Sequence, residues 1–283
     1  MATLGAREEN TMKDQYFGDI NDYRKYGLLR AIIRTTQLRL LVAWMLTPDD
    51  GSTDGKFVSY LDDPGKWSRH DPALFQTVKG LLARDRQRGV SLIENSGLLQ
   101  RAEYFSSHVT DRASDRSSWF KSLVQKAQGS DFVFLDPDNG LEVKSKPYGG
   151  RNSSKFLYWR EVEALWASGK SLLIYQHFIR ENRLQFIQRM LEALGGATPG
   201  SSVEAFSTPN VVFLMALQAG HQAFHEAIVE AVQESWERQI QHWELTRTQQ
   251  VASADNSAVA RDKTNIAKHQ DWKTEVRVSD DDG

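Results

Sequence analysis

The sequence predicts an α/β protein with a Rossmann-like, mostly parallel sheet, helices on both faces and a C-terminal antiparallel hairpin. Three observations lead there. Short apolar runs alternate with stretches whose apolar residues keep helical spacing, as successive βα units do. The runs at 38–46, 131–135 and 171–176 are nearly continuous in Leu, Val, Ile and Phe, as strands covered on both faces are. Two later runs, Val203–Phe206 and Val211–Leu217, flank Ser207-Thr208-Pro209-Asn210 and read as a hairpin.

Taken in order, Leu28, Leu29, Ile32 and Ile33 predict a helix from about Tyr23 to Thr36, capped by Asp22. Leu38–Leu46 is a strand that runs into a loop, Thr47–Lys56, rich in Asp, Gly, Ser and Thr. Leu74, Phe75, Val78, Leu81 and Leu82 mark a helix over Asp71–Arg86. Val90–Glu94 reads as a short strand, with a turn at Asn95-Ser96-Gly97 and a helix through about Tyr104. A helix over Trp119–Gln128 precedes the strand Asp131–Leu135, which ends at Asp136-Pro137-Asp138-Asn139-Gly140. A flexible segment, Glu142–Ser154, leads to a helix at Trp159–Ser168, a strand Ser171–Gln176 ending at His177, and a helix at Arg180–Leu194. Phe224, Ile228, Val232, Trp236, Ile240 and Trp243 predict a last helix from about Gln222 to Leu245. Its Trp236, Ile240 and Trp243 stripe would pack on the sheet or on a second copy of the chain.

The pattern predicts one α/β domain over residues 12–245. Residues 1–11 read as a disordered extension and 246–283 as a disordered polar tail. No internal repeat interrupts the alternation. Cysteine is absent, which removes disulfides, thiolate zinc sites and thiol nucleophiles and fits a reducing, cytoplasmic address. No run approaches the roughly 20 apolar residues a bilayer crossing needs. With 35 Lys and Arg against 37 Asp and Glu there is no general basic coat, so nucleic acid would need a local basic face.

Ligands of open α/β sheets bind beyond the carboxyl ends of the strands. Three predicted strand ends carry polar clusters: Thr47–Lys56, Asp136–Gly140 and Gln176-His177. Asp136 would aim a carboxylate into that crevice, with Pro137 fixing the backbone. Asp138 or Asn139 would offer an acceptor to an amine, hydroxyl or metal-bound water, although the same residues also make a good turn. His177 has the chemistry of a general base. Asp49, Gly51, Asp54 and Gly55 supply acidic groups and tight turns suited to ribose hydroxyls, a sulfonium or a hard divalent ion. Asp19 and Asp22 form a second acidic cluster beside Tyr23, Arg24 and Lys25, where mixed charge over tyrosines can hold a ligand, while Glu94 could reach a ribose hydroxyl. Basic and aromatic residues interleave at Lys144, Lys146, Tyr148, Arg151, Lys155, Phe156, Tyr158, Trp159 and Arg160, a pattern suited to phosphates and stacked bases.

The Asp136-Pro137-Asp138-Asn139 strand end resembles the catalytic strand end of class I S-adenosylmethionine-dependent methyltransferases. Amino-methylating members carry Asp/Asn-Pro-Pro-Tyr/Phe/Trp there; this chain lacks the second proline and the aromatic, so Tyr148, Phe156 or Tyr158 would have to supply the platform for a flipped base. Gly18-Asp19-Ile20-Asn21-Asp22-Tyr23-Arg24-Lys25-Tyr26 is similar to the Gly-Asn-x-x-Asp-x-x-Lys-His segment of a bacterial ribosomal-RNA adenine methyltransferase family. The order of elements is similar over roughly residues 14–190. The resemblance implies S-adenosylmethionine lying over the strand ends between Trp44–Gly55 and Glu94, beside Asp19, Tyr23 and Lys25. Asp136 and Asn139 would orient the acceptor, a nucleic acid or nucleotide. The loop after the first strand departs from the family in being longer and more acidic.

Two other readings remain at this stage. Asp19, Asp49, Asp54, Asp136, Asp138 and His177 could hold Mg2+ or Mn2+ in a phosphoester hydrolase. A non-catalytic module binding a nucleotide or protein partner would use the same fold.

Overall fold

The computed structural model describes residues 17–47, 57–84 and 88–245. The expected extension at 1–11, the expected tail at 246–283, and Asp49, Gly51, Asp54 and Gly55 lie outside the described residues. The elements are α1 (Ile20–Thr35), β1 (Leu40–Ala43), α2 (Pro64–Trp67), α3 (Pro72–Arg84), α4 (Val90–Glu94), β2 (Ala102–Phe105), α5 (Ala113–Lys126), β3 (Phe132–Leu135), β4 (Gly140–Leu141), β5 (Phe156–Leu157), α6 (Trp159–Ala167), β6 (Ser171–His177), α7 (Arg183–Ala197), β7 (Ser202–Ser207), β8 (Val211–Leu217), α8 (His225–Trp236) and β9 (Gln241–Glu244).

Seven strands form one sheet in the order β2-β1-β3-β6-β8-β7-β9. β2, β1, β3 and β6 run parallel, β8 is antiparallel to both β6 and β7, and β9 is antiparallel to β7. From central β1 the chain goes to one side for β2 and to the other for β3. That reversal places a topological switch point at their carboxyl ends. The fold is the Rossmann-like α/β class, and the hairpin lies inside the sheet because β9 caps its outer edge.

Alternation along each strand divides the core in two. Leu40, Val42, Phe132 and Phe134 face α1, α3 and α8, while Leu41, Ala43, Val133 and Leu135 face α5, α6 and α7. α1 is buried along almost its whole length, from Asp22 to Ile33. Its charges are therefore paired individually: Arg30 with Asp71 at 2.7 Å, Arg24 with Gln239 at 2.7 Å, and Lys25 as described below. Gly27 is required for packing. A Cβ there would lie 2.1 Å from the Trp236 indole of α8, whose ring stacks on His70 at 5.2 Å.

Several elements differ from the sequence expectation. Asp19, not Asp22, caps α1, its carboxylate accepting from the Asn21 and Asp22 backbone N–H groups at 2.7 and 2.9 Å. Val90–Glu94 is a helix and Ala102–Phe105 the strand, the reverse of the prediction. The last helix ends at Trp236. Ile240 lies beyond it, and Trp243 belongs to β9, where its indole N–H donates to Ser207 Oγ at 2.7 Å. The expected Trp236, Ile240 and Trp243 stripe is thus not one helix face, and Trp236 and Ile240 are buried within the chain. No described helix is long and apolar enough to cross a membrane.

Candidate functional site

A cleft of about 570 Å³ opens at the carboxyl ends of β1, β3 and β6 and is closed on one side by the start of α1. Its size is that of a small-molecule site. β3 delivers Asp136, β6 delivers Tyr175 and His177, and the segment after β1 delivers Trp44 to Thr47. Met45 there has φ +49°, a left-handed step that side chains resist. Such strain collects at functional turns.

Charge dominates the floor. Lys25 Nζ lies 2.9 Å from Asp22 and 2.8 Å from Asp136, and stands 5.1 Å from the Tyr175 ring. Asp22 also accepts from the Tyr26 hydroxyl at 3.2 Å. Burial raises Asp136 to about 6, with the Lys25 ammonium opposing. Burial and the neighbouring Asp22 raise Asp19 to about 6. Burial works against the Lys25 ammonium, but Asp136 and Asp22 outweigh it and hold Lys25 charged, above its ordinary value. Burial lowers His177, with Asp138 opposing. Asp22 and Asp136 thus share one buried ammonium, and Asp19 lies in the same lining, an arrangement that favours a cationic guest.

The loop after β3 is fixed from below. Gly140 has φ +96°, and a Cβ on it would lie 2.4 Å from Gln176 Oε1. That Gln176 oxygen accepts from Leu141 N at 2.7 Å, and its amide donates to His177 O at 2.8 Å. Asn139 N donates to Lys155 O at 2.8 Å, and Lys155 Nζ approaches Asp138 at 3.5 Å. The Trp44 indole N–H donates to Glu94 at 2.8 Å, which sets the ring at the cleft wall.

Of the residues predicted from sequence, Asp19, Lys25, Trp44, Asp136, Asp138, Asn139 and His177 meet in the cleft. Tyr23 does not. It is fully buried and donates to Trp67 O at 2.9 Å, so it is a core residue. Glu94 is no strand end but part of α4, and it approaches the cleft through the Trp44 indole. Tyr158 is 2% exposed with its hydroxyl on Lys146 O, and Phe156 is buried, so neither offers a face for stacking. Tyr148 packs on the Arg160 guanidinium at 3.5 Å and edge-on against Tyr158. Lys144, Lys146 and Arg151 lie outside the cleft lining, in the connection from β4 to β5.

Sequence reasoning missed Tyr26, Tyr175 and the role of Asp22 as the partner of Lys25. Asp22, Lys25 and Tyr26 stand at i, i+3 and i+4 on one helix face, which was the available signal. For a metal, the Lys25 ammonium already occupies the place between Asp22 and Asp136. Among the described residues, the group of three potential ligands that converges is elsewhere, at Glu204, His225 and His242.

No family model matches this chain, and no curated protein matches it. Among solved structures it is similar to a Legionella pneumophila protein described by the family model DUF519, at 8% identity and TM-score 0.37, over 81% of this chain and 96% of that one. It is also similar to human methyltransferase-like protein 13 in complex with SAH, at 12% identity and TM-score 0.32, over 80% of this chain and 96% of that one.

Proposed function

We propose that the protein is a methyltransferase-type enzyme whose cleft takes S-adenosylmethionine and whose Asp136 orients the methyl acceptor. The observation that carries the reading is the excess of buried carboxylate over ammonium at a Rossmann switch point. That floor fits a ligand bearing a sulfonium and an α-ammonium better than it fits a phosphate. When bound, the cofactor supplies an electrophilic methyl group.

The chain's own residues do the rest. Trp44 and Tyr26 wall the cleft with apolar surface, and Asp19 and Asp22 attract positive charge. Lys25 holds Oδ2 of Asp136, which leaves Oδ1 to accept a hydrogen bond from an amine or hydroxyl. A carboxyl poised near pH 6 can also take that group's proton near neutrality. His177, held neutral by burial, is a second proton acceptor.

Calorimetric titration of the full chain in chelator should show S-adenosylmethionine binding that tightens from pH 5 to pH 7.5, as Asp19 and Asp136 ionise. SAH, which lacks the sulfonium charge, should show a weaker pH trend. Binding of Mg2+ or Mn2+ alone would instead favour the hydrolase, and binding of neither would favour a module without catalysis.

For the acceptor we infer a nucleic acid or nucleotide. What supports it is the run of exposed Lys144 and Arg151 with half-buried Lys146, in a connection whose end is strapped to the cleft through Lys155 and Asn139. Replacing Lys144, Lys146 and Arg151 by Ala should weaken nucleic-acid binding and reduce its salt slope by roughly 2–3. An unchanged slope would turn the assignment to a small acceptor.

A further inference from the structure

We propose a divalent transition-metal site of the zinc type, built from Glu204 of β7, His225 at the start of α8 and His242 of β9. It is independent of the methyl-donor reading, because β8 separates β7 from β6, the nearest cleft strand, and none of the three residues lines the cleft. Glu204 is almost wholly buried, and its two carboxylate oxygens face different imidazoles. His225 Nε2 lies 2.9 Å from Oε1, and His242 Nε2 lies 2.9 Å from Oε2. The donor atoms all fall within 4.8 Å of one another. Ligands sharing one tetrahedral zinc stand about 3.3 Å apart, so a small closure around an ion completes the set.

The contact to His225 distinguishes a metal site from an ordinary ion pair. Its Nε2 is buried and makes no hydrogen bond, although a carboxylate oxygen lies 2.9 Å away. The nitrogen is near enough but off the line that an N–H···O bond needs. Two ligands of a single ion have that relation, since both aim at a point between them. A second observation concerns charge. Glu244 stands directly opposite Glu204 across β7 and β9, and like charges in that position repel. A bound cation removes the repulsion. Two imidazoles and a carboxylate, with no thiolate in the chain, select Zn2+ and its first-row neighbours over Mg2+, which prefers oxygen ligands. The ion would join the last strand of the sheet to its neighbour and to α8.

The test uses the untagged full chain, stripped with chelator and titrated with Zn2+ by calorimetry, with thermal melting in parallel. The expected result is one Zn2+ per chain at micromolar affinity or tighter, a melting temperature raised by Zn2+ but not by Mg2+, and binding weakened at least tenfold in His225→Gln and in His242→Asn. His177→Ala, in the cleft, should bind Zn2+ as the parent does. If a histidine variant fails to fold, Glu204→Gln keeps the shape of the carboxylate and serves in its place. Absence of Zn2+ binding, or equal binding by parent and variants, would leave a simple imidazole–carboxylate cluster and overturn the proposal. Loss of Zn2+ binding only in His177→Ala would overturn it too, by moving the ion to the cleft.

Discussion

On the proposed function, Asp136→Asn should give a folded protein whose methyl transfer is slower by about 10²–10⁴-fold. The carboxamide keeps the shape of the side chain and its place at the end of β3 but loses the negative charge and the ability to take a proton. Folding should not suffer. Asp136 is raised in the folded state from 3.8 to about 6, so the folded protein holds that proton more tightly than the unfolded chain does. Its stabilising contribution is therefore full below pH 4 and is lost as the pH climbs through 6. Lys25 keeps its Asp22 partner, so the variant should stay folded in a thermal melt, while labelled methyl transfer falls. Unchanged transfer would reduce Asp-Pro-Asp-Asn-Gly to a turn.

Lys25→Met should be the more damaging change to the fold. Removing one partner of a buried ion pair costs about 3–5 kcal/mol, because the other is left uncompensated. Here Asp22 and Asp136 both lose their contact at once. The linkage has a definite sign. Raised by its carboxylate partners, Lys25 contributes most at pH 7.5, where Asp136 is ionised, and the variant loses that contribution there. At pH 5 Asp136 and Asp19 take up protons, so the variant should recover part of its deficit. Urea unfolding of both proteins at the two pH values measures this directly. A deficit that is the same at pH 5 and pH 7.5 would mean that packing of the Lys25 stem, rather than its charge, holds the site.

The central sheet was legible because its strands are apolar on both faces. Leu40–Ala43, Phe132–Leu135 and Ser171–His177 leave little choice of assignment. The edges were not. Ala102-Glu103-Tyr104-Phe105 and Gln241-His242-Trp243-Glu244 are outer strands with mixed exposure, so neither shows a continuous run or a clean alternation. Val90-Ser91-Leu92-Ile93-Glu94 looked like a strand through its β-branched residues, yet only Ile93 is fully covered and the segment closes as one helical turn. The spacing from Trp236 through Ile240 to Trp243 imitates a helix across a break.

In the site, Asp136, Asn139 and His177 were legible because strand ends are where ligands bind. The Lys25–Asp136 contact joins residues 111 positions apart and carries no local signal. The burial of Tyr158 and Tyr23 is hidden from the sequence for a related reason. An aromatic beside a cation reads the same whether its ring meets solvent or the core.

The position of β8 has a consequence for the order in which the chain is built. β6 lies in the middle of the sheet, yet one of its two neighbours is made of residues 211–217. A chain emerging from the ribosome can pair β1, β2, β3 and β6 from what it already has. It then carries the edge of Ser171–His177 unpaired, apolar on both faces and ready to recruit foreign strands, until the hairpin follows. Tyr175 and His177 meet their partners, Phe213 and Val211, only at that moment. The last wall of the cleft is thus set after most of the chain has been synthesised, and a fragment stopping short of Val211 would hold Asp136 and Lys25 but no finished pocket.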